Sequence, residues 1–183
     1  MVLLKSKEIL KIGNTAPDFE LSCVDGEVYT LSQFKGKPVL LIFMCNHCPY
    51  VKPQLENIKK LAAKWKDKAI VIGINSNDAL NYPDDSFERM IETSADLNFN
   101  FYYLYDETQE TAKHYGAQCT PDPFLVDKNG KIAWHGRLNN ALNPNDTPTH
   151  HDMDEAIAEL LKTGKVTKEF LPSQGCSIKW KKK

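Results

Sequence analysis

Charge of one sign is missing from this chain. Its 23 Lys and Arg residues offset 24 Asp and Glu for a formal net charge of -1, which leaves no electrostatic footprint for a nucleic acid or an anionic membrane. The basic stretch Lys179, Trp180, Lys181, Lys182, Lys183 reads as a solvated C-terminus. Long apolar runs are missing too, since none approaches the ~20 residues that a membrane-spanning helix needs. Met1 to Leu10 holds too short an apolar stretch for a secretory core and no small-residue cleavage site, so a cytoplasmic address is expected. A stapling framework of cysteines is also lacking. The five cysteines, at positions 23, 45, 48, 119 and 176, are odd in number and include one close pair. In a reducing cytosol that pattern suits a redox or metal site better than structural disulfides. There is no low-complexity segment and no internal repeat. A chain of 183 residues suits one domain, spanning residues 1–183 with a core over about 13–163, and a domain of that size buries about 70% of its unfolded surface.

What is present centres on Cys45, Asn46, His47 and Cys48. This dithiol follows the apolar run Pro38 to Met44, which reads as a buried strand, and precedes Pro49 and Tyr50 to Trp65, with Leu55, Ile58, Leu61, Ala62 and Trp65 at helical spacing. The thiols are therefore expected at a helix N-terminus, where unpaired N–H groups and the macrodipole favour a thiolate. Cys45, exposed at the helix start, is the expected nucleophile; Cys48, one turn inward, is the expected resolver of the mixed disulfide.

Elsewhere strands and helices alternate, which predicts one α/β domain. Ala16 to Leu21 and Val28 to Leu31 read as an N-terminal hairpin turning at Asp25 and Gly26. Ala69 to Asn75 reads as a second buried strand, joined to the first in a right-handed βαβ unit. Asp84 to Leu97 reads as a helix, Phe101 to Tyr105 as a short strand and Glu107 to Tyr115 as a short helix. Phe124 to Asp127 and Lys131 to His135 form a tight hairpin around Asn129 and Gly130. Asn139 to His151 is a surface loop, Met153 to Leu161 a closing helix, and Lys162 to Lys183 a tail of undefined structure. Tyr102, Tyr103 and Trp134 suit either an interface or the core, and the oligomeric state is not legible.

This order of elements resembles the thioredoxin fold: α/β, a central mixed sheet flanked by helices, here with an N-terminal hairpin and a C-terminal tail. Ala16, Pro17, Asp18, Phe19 and Leu21, followed by Phe34 to Pro38, resemble the opening of its redoxin branch, which includes peroxiredoxins of the AhpC/TSA type and membrane-tethered thioredoxin-like reductases. The segments Cys45 to Tyr50, Asn75 to Asp78, Cys119 to Asp127 and Gly175 to Trp180 resemble a peroxiredoxin-like group of that branch. Pro53 matches the proline that kinks the active-site helix, and Thr120–Pro121 matches the cis-proline position. The resemblance implies that the Thr120 backbone pairs with an extended substrate across the mixed disulfide.

Two departures separate the branches. Peroxiredoxins carry a threonine three residues before the peroxidatic cysteine and a facing arginine; Ile42 stands in the first position, and the second falls on or next to Pro121, with Arg137 the only arginine nearby. The acids of thioredoxins and tethered reductases are replaced by Val39 and Val51, so Cys48 must lose its proton by another route. Asp122 is a candidate base, with a turn residue as the alternative. His47 stands where strongly oxidising disulfide-forming enzymes have a histidine, and a protonated or hydrogen-bonding imidazole there stabilises the Cys45 thiolate. The couple is thus expected to be more oxidising than thioredoxin's, about -270 mV.

The reading is a thiol–disulfide oxidoreductase without cofactor or metal. Its partners are a protein or small-molecule disulfide and a thiol reductant system; nucleic acid and membrane are not expected. The alternative is a thiol peroxidase with antioxidant activity, in which a peroxide oxidises Cys45 and Cys48 or Cys176 condenses with the sulfenic acid. Cys176 serves there as a remote resolver if the tail folds back over Cys45. Cys119 is either a third redox or metal-binding thiol or a small buried residue, and Cys23 packs. A redox-regulated binding module is a further reading. A metal site would need Cys119, His114, His135 or His150 and His151 to converge on Cys45, His47 and Cys48.

Overall fold

Burial of every residue from Val39 to Phe43 requires apolar cover on both faces, and the chain supplies it by winding around that strand. The computed structural model describes residues 2–182. Met1 and Lys183, the ends of the expected domain and of its basic tail, lie outside the described residues. The strands are β1 (Leu3–Lys5), β2 (Glu20–Cys23), β3 (Val28–Thr30), β4 (Val39–Phe43), β5 (Ile70–Asn75), β6 (Tyr102–Tyr105), β7 (Cys119–Thr120), β8 (Asp122–Val126), β9 (Ile132–His135) and β10 (Gln174–Ser177). The helices are α1 (Leu55–Trp65), α2 (Phe87–Asp96), α3 (Glu110–Tyr115) and α4 (Asp152–Thr163).

Seven strands form one mixed sheet in the order β3, β2, β6, β5, β4, β8, β9. The β4–β5 and β5–β6 pairs are parallel, and the others are antiparallel. Alternation along β4 divides the core: Leu40 and Ile42 face a cluster that holds Ile58, Leu61, Trp134 and Ile157, whereas Val39, Leu41 and Phe43 face one that holds Phe19, Tyr115 and Phe124. This is the expected α/β arrangement. Tyr103 and Trp134 lie in the core at 0% exposure, and Tyr102 packs edge-on against Tyr29.

Several boundaries differ from the sequence expectation. The hairpin begins at Glu20 rather than Ala16, because Pro17 has no N–H to pair and Asp18 Oδ1 accepts instead from Phe19 N and Ser32 N. Asp84 belongs to a single 3₁₀ turn, Pro83–Asp85, and α2 starts after Ser86, whose hydroxyl accepts from Arg89 N. The largest departure is the tail. It forms β10, which lies between β1 and β7 in a second, three-stranded sheet. The segment 139–151 has no helix or strand, as expected.

Candidate active site

The dithiol sits where β4 ends. Met44 N still bonds to Ile74 O, at 2.9 Å, and the chain then turns through Cys45 to Pro49. Both sulfur-bearing residues are buried, Cys45 at 1% and Cys48 at 0% exposure, which corrects the expected exposed position of Cys45. The placement at a helix N-terminus is corrected as well. Val51 N and Lys52 N bond to Cys48 O, but a 3₁₀ turn, Lys52–Gln54, intervenes before α1. Pro53 has no N–H to give to residue 49, so the α-helical ladder cannot extend back to the cysteines. The macrodipole therefore acts on them from a distance, and hydrogen-bond donors set their charge.

The antiparallel register Phe43↔Asp122 carries Thr120 and Pro121 past the end of β4 to the sulfurs. The Thr120–Pro121 peptide is cis. Thr120 Oγ1 lies 3.7 Å from Cys45 Sγ, and Thr120 O lies 3.2 Å from Cys48 Sγ, which donates to it in the thiol form. The backbone of Thr120, expected to pair with substrate, is already paired within the chain: β10 lies antiparallel on β7 in the register Cys176↔Thr120. Gly175 permits this approach, because a Cβ there would stand 2.0 Å from Thr120 O. Cys176 Sγ thereby comes to 2.9 Å from Cys48 Sγ. The tail does fold back over the site, but onto Cys48 rather than Cys45.

This clustering shifts the thiols of the pair in opposite directions. Cys48 is lowered to about 5, chiefly by the hydrogen bond from Cys45, against burial, with further help from Cys176 and the Thr120 hydroxyl. Cys45 is raised by its bond to Cys48, by burial and by the nearby Asp85 charge. The two hydrogen-bonded thiols are thus shifted in opposite directions, Cys48 down and Cys45 up.

His47 is held by Asp85, with a ring nitrogen within 4.8 Å of Cys45 Sγ. Its Nδ1 lies 2.5 Å from Asp85 Oδ2, and its ring stacks on Tyr82 with centroids 5.9 Å apart. The bond to Asp85 raises the imidazole pKa despite partial burial. Burial tends to raise the Asp85 carboxyl, yet hydrogen bonds from His47 and Asn77 hold it below the usual carboxylate range. Asp85 Oδ1 also accepts from Asn46 N at 2.9 Å and His47 N at 3.3 Å, and Oδ2 from Asn77 Nδ2 at 2.7 Å. Asn46 Oδ1 accepts from Tyr103 OH, at 2.9 Å. Asp85, Asn77, Tyr82 and Tyr103 were not singled out from the sequence for this role; Asp85 read only as the start of a helix.

Asp122 is not a turn residue. It opens β8 at 0% exposure, with Oδ1 2.7 Å from His135 Nε2 and Oδ2 accepting from Gln118 N at 3.0 Å. Cys119 is buried, its thiol pKa raised by desolvation, and its Sγ donates to Pro121 O at 3.7 Å. Cys23 packs in the core cluster around Phe43 and Phe124. Among the described residues one group of metal-ligating type gathers, Cys45, His47 and Asp85, with ligand atoms within 4.8 Å of one another. It does not include Cys119, His114, His135, His150 or His151, the residues that the sequence offered to complete a site. No helix among the described residues is long and apolar enough to cross a membrane.

A mixed sheet that ends in a buried dithiol beside a cis-proline defines a thioredoxin-like dithiol oxidoreductase. The chain belongs to the AhpC/TSA family, which it matches over residues 12–135. It is 30% identical over 128 residues to the thioredoxin-like protein YneN of Bacillus subtilis (strain 168), covering 69% of this chain and 72% of that one. It is 29% identical over 126 residues to the thiol-disulfide oxidoreductase ResA of Bacillus thuringiensis subsp. konkukian (strain 97-27), covering 69% of each. Among solved structures it is similar to an uncharacterized conserved protein from Geobacillus kaustophilus, with a TM-score of 0.93 and 39% identity over 100% of this chain and 98% of that one.

Proposed function

We propose that the protein exchanges a Cys45–Cys48 dithiol for the disulfide of a protein or small-molecule substrate, Cys45 attacking and Cys48 resolving. The carrying observation is a buried pair of cysteines beside a cis-proline, with Cys45 Sγ 3.7 Å from Thr120 Oγ1 and Cys48 Sγ 3.2 Å from Thr120 O. As Cys45 attacks a substrate sulfur, its proton passes to Cys48, which acts as the base that Val39 and Val51 do not provide. One substrate sulfur leaves as a thiolate and takes that proton; Cys48 then attacks Cys45 Sγ in the mixed disulfide, and the second substrate sulfur leaves. A thiol reductant returns the disulfide to the dithiol. Because β10 covers the Thr120 edge, a protein substrate is admitted when the tail moves aside. The concentration of thiols at one site suits a reducing compartment, and a cytoplasmic setting is part of the proposal.

The test uses insulin disulfide as probe. Cys45→Ser should abolish its reduction, and Cys48→Ser should accumulate a mixed disulfide on Cys45; unchanged turnover in Cys45→Ser overturns the reading. A second reading, thiol peroxidase with antioxidant activity, draws on the second thiol 2.9 Å from Cys48 Sγ and on the lowered Cys48 pKa. Rapid consumption of hydrogen peroxide with inert insulin would select it.

A further inference from the structure

Cys48 touches two thiols, and exchange with substrate accounts for only one of them. The other, Cys176, is held as firmly as any residue of the sheet. Its strand pairs with β1 through Leu3↔Cys176 on one side and with β7 through Cys176↔Thr120 on the other. Before β10, Ser6 N bonds to Ser173 O at 3.0 Å and Ser173 N to Ser6 Oγ at 2.8 Å. After it, Lys179 N bonds to Asn77 Oδ1 at 2.8 Å, Asp78 N to Lys179 O at 2.8 Å, and Gln109 Nε2 to the same carbonyl at 2.8 Å. The 2.9 Å between Cys48 Sγ and Cys176 Sγ is therefore a designed contact of the fold and lies within 1 Å of a sulfur–sulfur bond, about 2.05 Å.

We propose that Cys176 is a third redox-active thiol, which displaces Cys45 as the disulfide partner of Cys48. The inference rests on the exchange reading above and extends it by one step. After substrate reduction the oxidised site holds a Cys45–Cys48 disulfide. Cys176, as thiolate, attacks Cys48 Sγ; the Cys48–Cys176 bond forms, the Cys45–Cys48 bond breaks, and Cys45 leaves as a thiolate that takes up the proton Cys176 gave away. No electrons enter or leave the protein in this step. Two consequences follow from the topology. Cys45 is restored for a further attack while the oxidising equivalent is held under the tail. The crosslink also ties β10 covalently to the turn after β4, so the strand that covers the Thr120 edge is locked down in that oxidised form and released on reduction.

Diamide, a chemical thiol oxidant, tests the step without reference to substrate. The full-length Cys45→Ser variant retains four of the five cysteines. Oxidised with diamide, it should lose two titratable thiols, and peptide mapping after alkylation should find Cys48 linked to Cys176; Cys45→Ser/Cys176→Ser should lose none to an intramolecular bond. Wild-type protein, oxidised and quickly alkylated in acid, should contain a population with Cys45 alkylated and Cys48 joined to Cys176, which guards against misfolding of the variants. Full retention of the Cys176 thiol in the oxidised wild type overturns the proposal. If insulin goes unreduced while the Cys48–Cys176 link forms, the exchange reading fails and the third thiol stands; if insulin is reduced and the link never forms, only the third thiol fails.

Discussion

His47 Nδ1 and Asp85 Oδ2 stand 2.5 Å apart, the carboxylate side chain wholly buried and the imidazole partly exposed. The histidine between the two cysteines thus ties the dithiol turn to Asp85, while a ring nitrogen stays within 4.8 Å of Cys45 Sγ. Asp85 collects the N–H groups of Asn46 and His47 on one oxygen and Asn77 on the other, so one carboxylate joins the dithiol turn to the segment after β5.

Asp85→Asn is expected to cost about 2 kcal/mol, the scale of a hydrogen bond to a charged group. Its pH dependence follows from the two shifts. The raised His47 pKa gives stability that is complete below the unfolded value, about 6.5, and is lost as pH rises through the folded value. The lowered Asp85 pKa gives stability that is present above about 3.9 and is lost as pH falls through the folded value. The wild-type advantage over Asp85→Asn in urea unfolding should therefore be greatest between about pH 4 and 6.5 and shrink on either side. A difference that does not shrink below about pH 4 or above about 6.5 contradicts the pairing.

The charge on Cys48 has a direct optical test. Thiolate absorbance of the reduced protein should show one sulfur ionising with a midpoint at about 5. Cys48→Ser should remove that step, and Cys45→Ser should move it to higher pH, because the bond from Cys45 is the main cause of the shift. Should the low-pH step persist in Cys48→Ser and vanish in Cys45→Ser, the ionised sulfur is Cys45 and the assignment is reversed.

The strand, the dithiol and the cis-proline were legible because each is a local signal: an apolar run, a fixed spacing, a proline ahead of a buried hairpin. The contact of Cys48 with Cys176 was not, because the two stand 128 positions apart and meet only through the pairing of β10 with β7. Period and propensity are silent about a strand as short and polar as Gln174–Ser177. Asp85 was missed for a related reason. Next to Pro83 and Asp84 it looks like a helix start, and only the tertiary path of the Ser76–Asp85 segment turns its carboxylate inward.

Gly175 lets β10 close onto the Thr120 edge beside the buried sulfurs. A methyl group there would meet Thr120 O at 2.0 Å, a backbone atom that cannot swing away, so Gly175→Ala must push β10 off β7. Alkylation of Cys45 and Cys48 by iodoacetamide in the reduced protein should then speed up by about tenfold or more, the effect of a local opening equilibrium shifted by ~1.4 kcal/mol. Insulin reduction should rise with it if tail movement limits the entry of protein disulfides. Equal alkylation rates in variant and wild type would show that the tail is not what covers the dithiol.

Asp122 separates structural from chemical roles in the same region. Its Oδ1 is 2.7 Å from His135 Nε2, the imidazole is sandwiched against Phe124 with centroids 3.9 Å apart, and both side chains are almost wholly buried. A carboxylate so engaged, held by His135 and the Gln118 N–H, supports β8 and β9. Replacing His135 with Phe keeps the stacking but leaves Asp122 Oδ1 without a donor, which should destabilise the protein by about 1–3 kcal/mol in urea unfolding. Asp122→Asn, which keeps an acceptor for His135, should cost less and leave the pH midpoint of insulin reduction where it is in the wild type. A base would behave otherwise: its loss shifts or abolishes the acid limb of the rate profile at unchanged substrate affinity, and that outcome would return Asp122 to the chemistry.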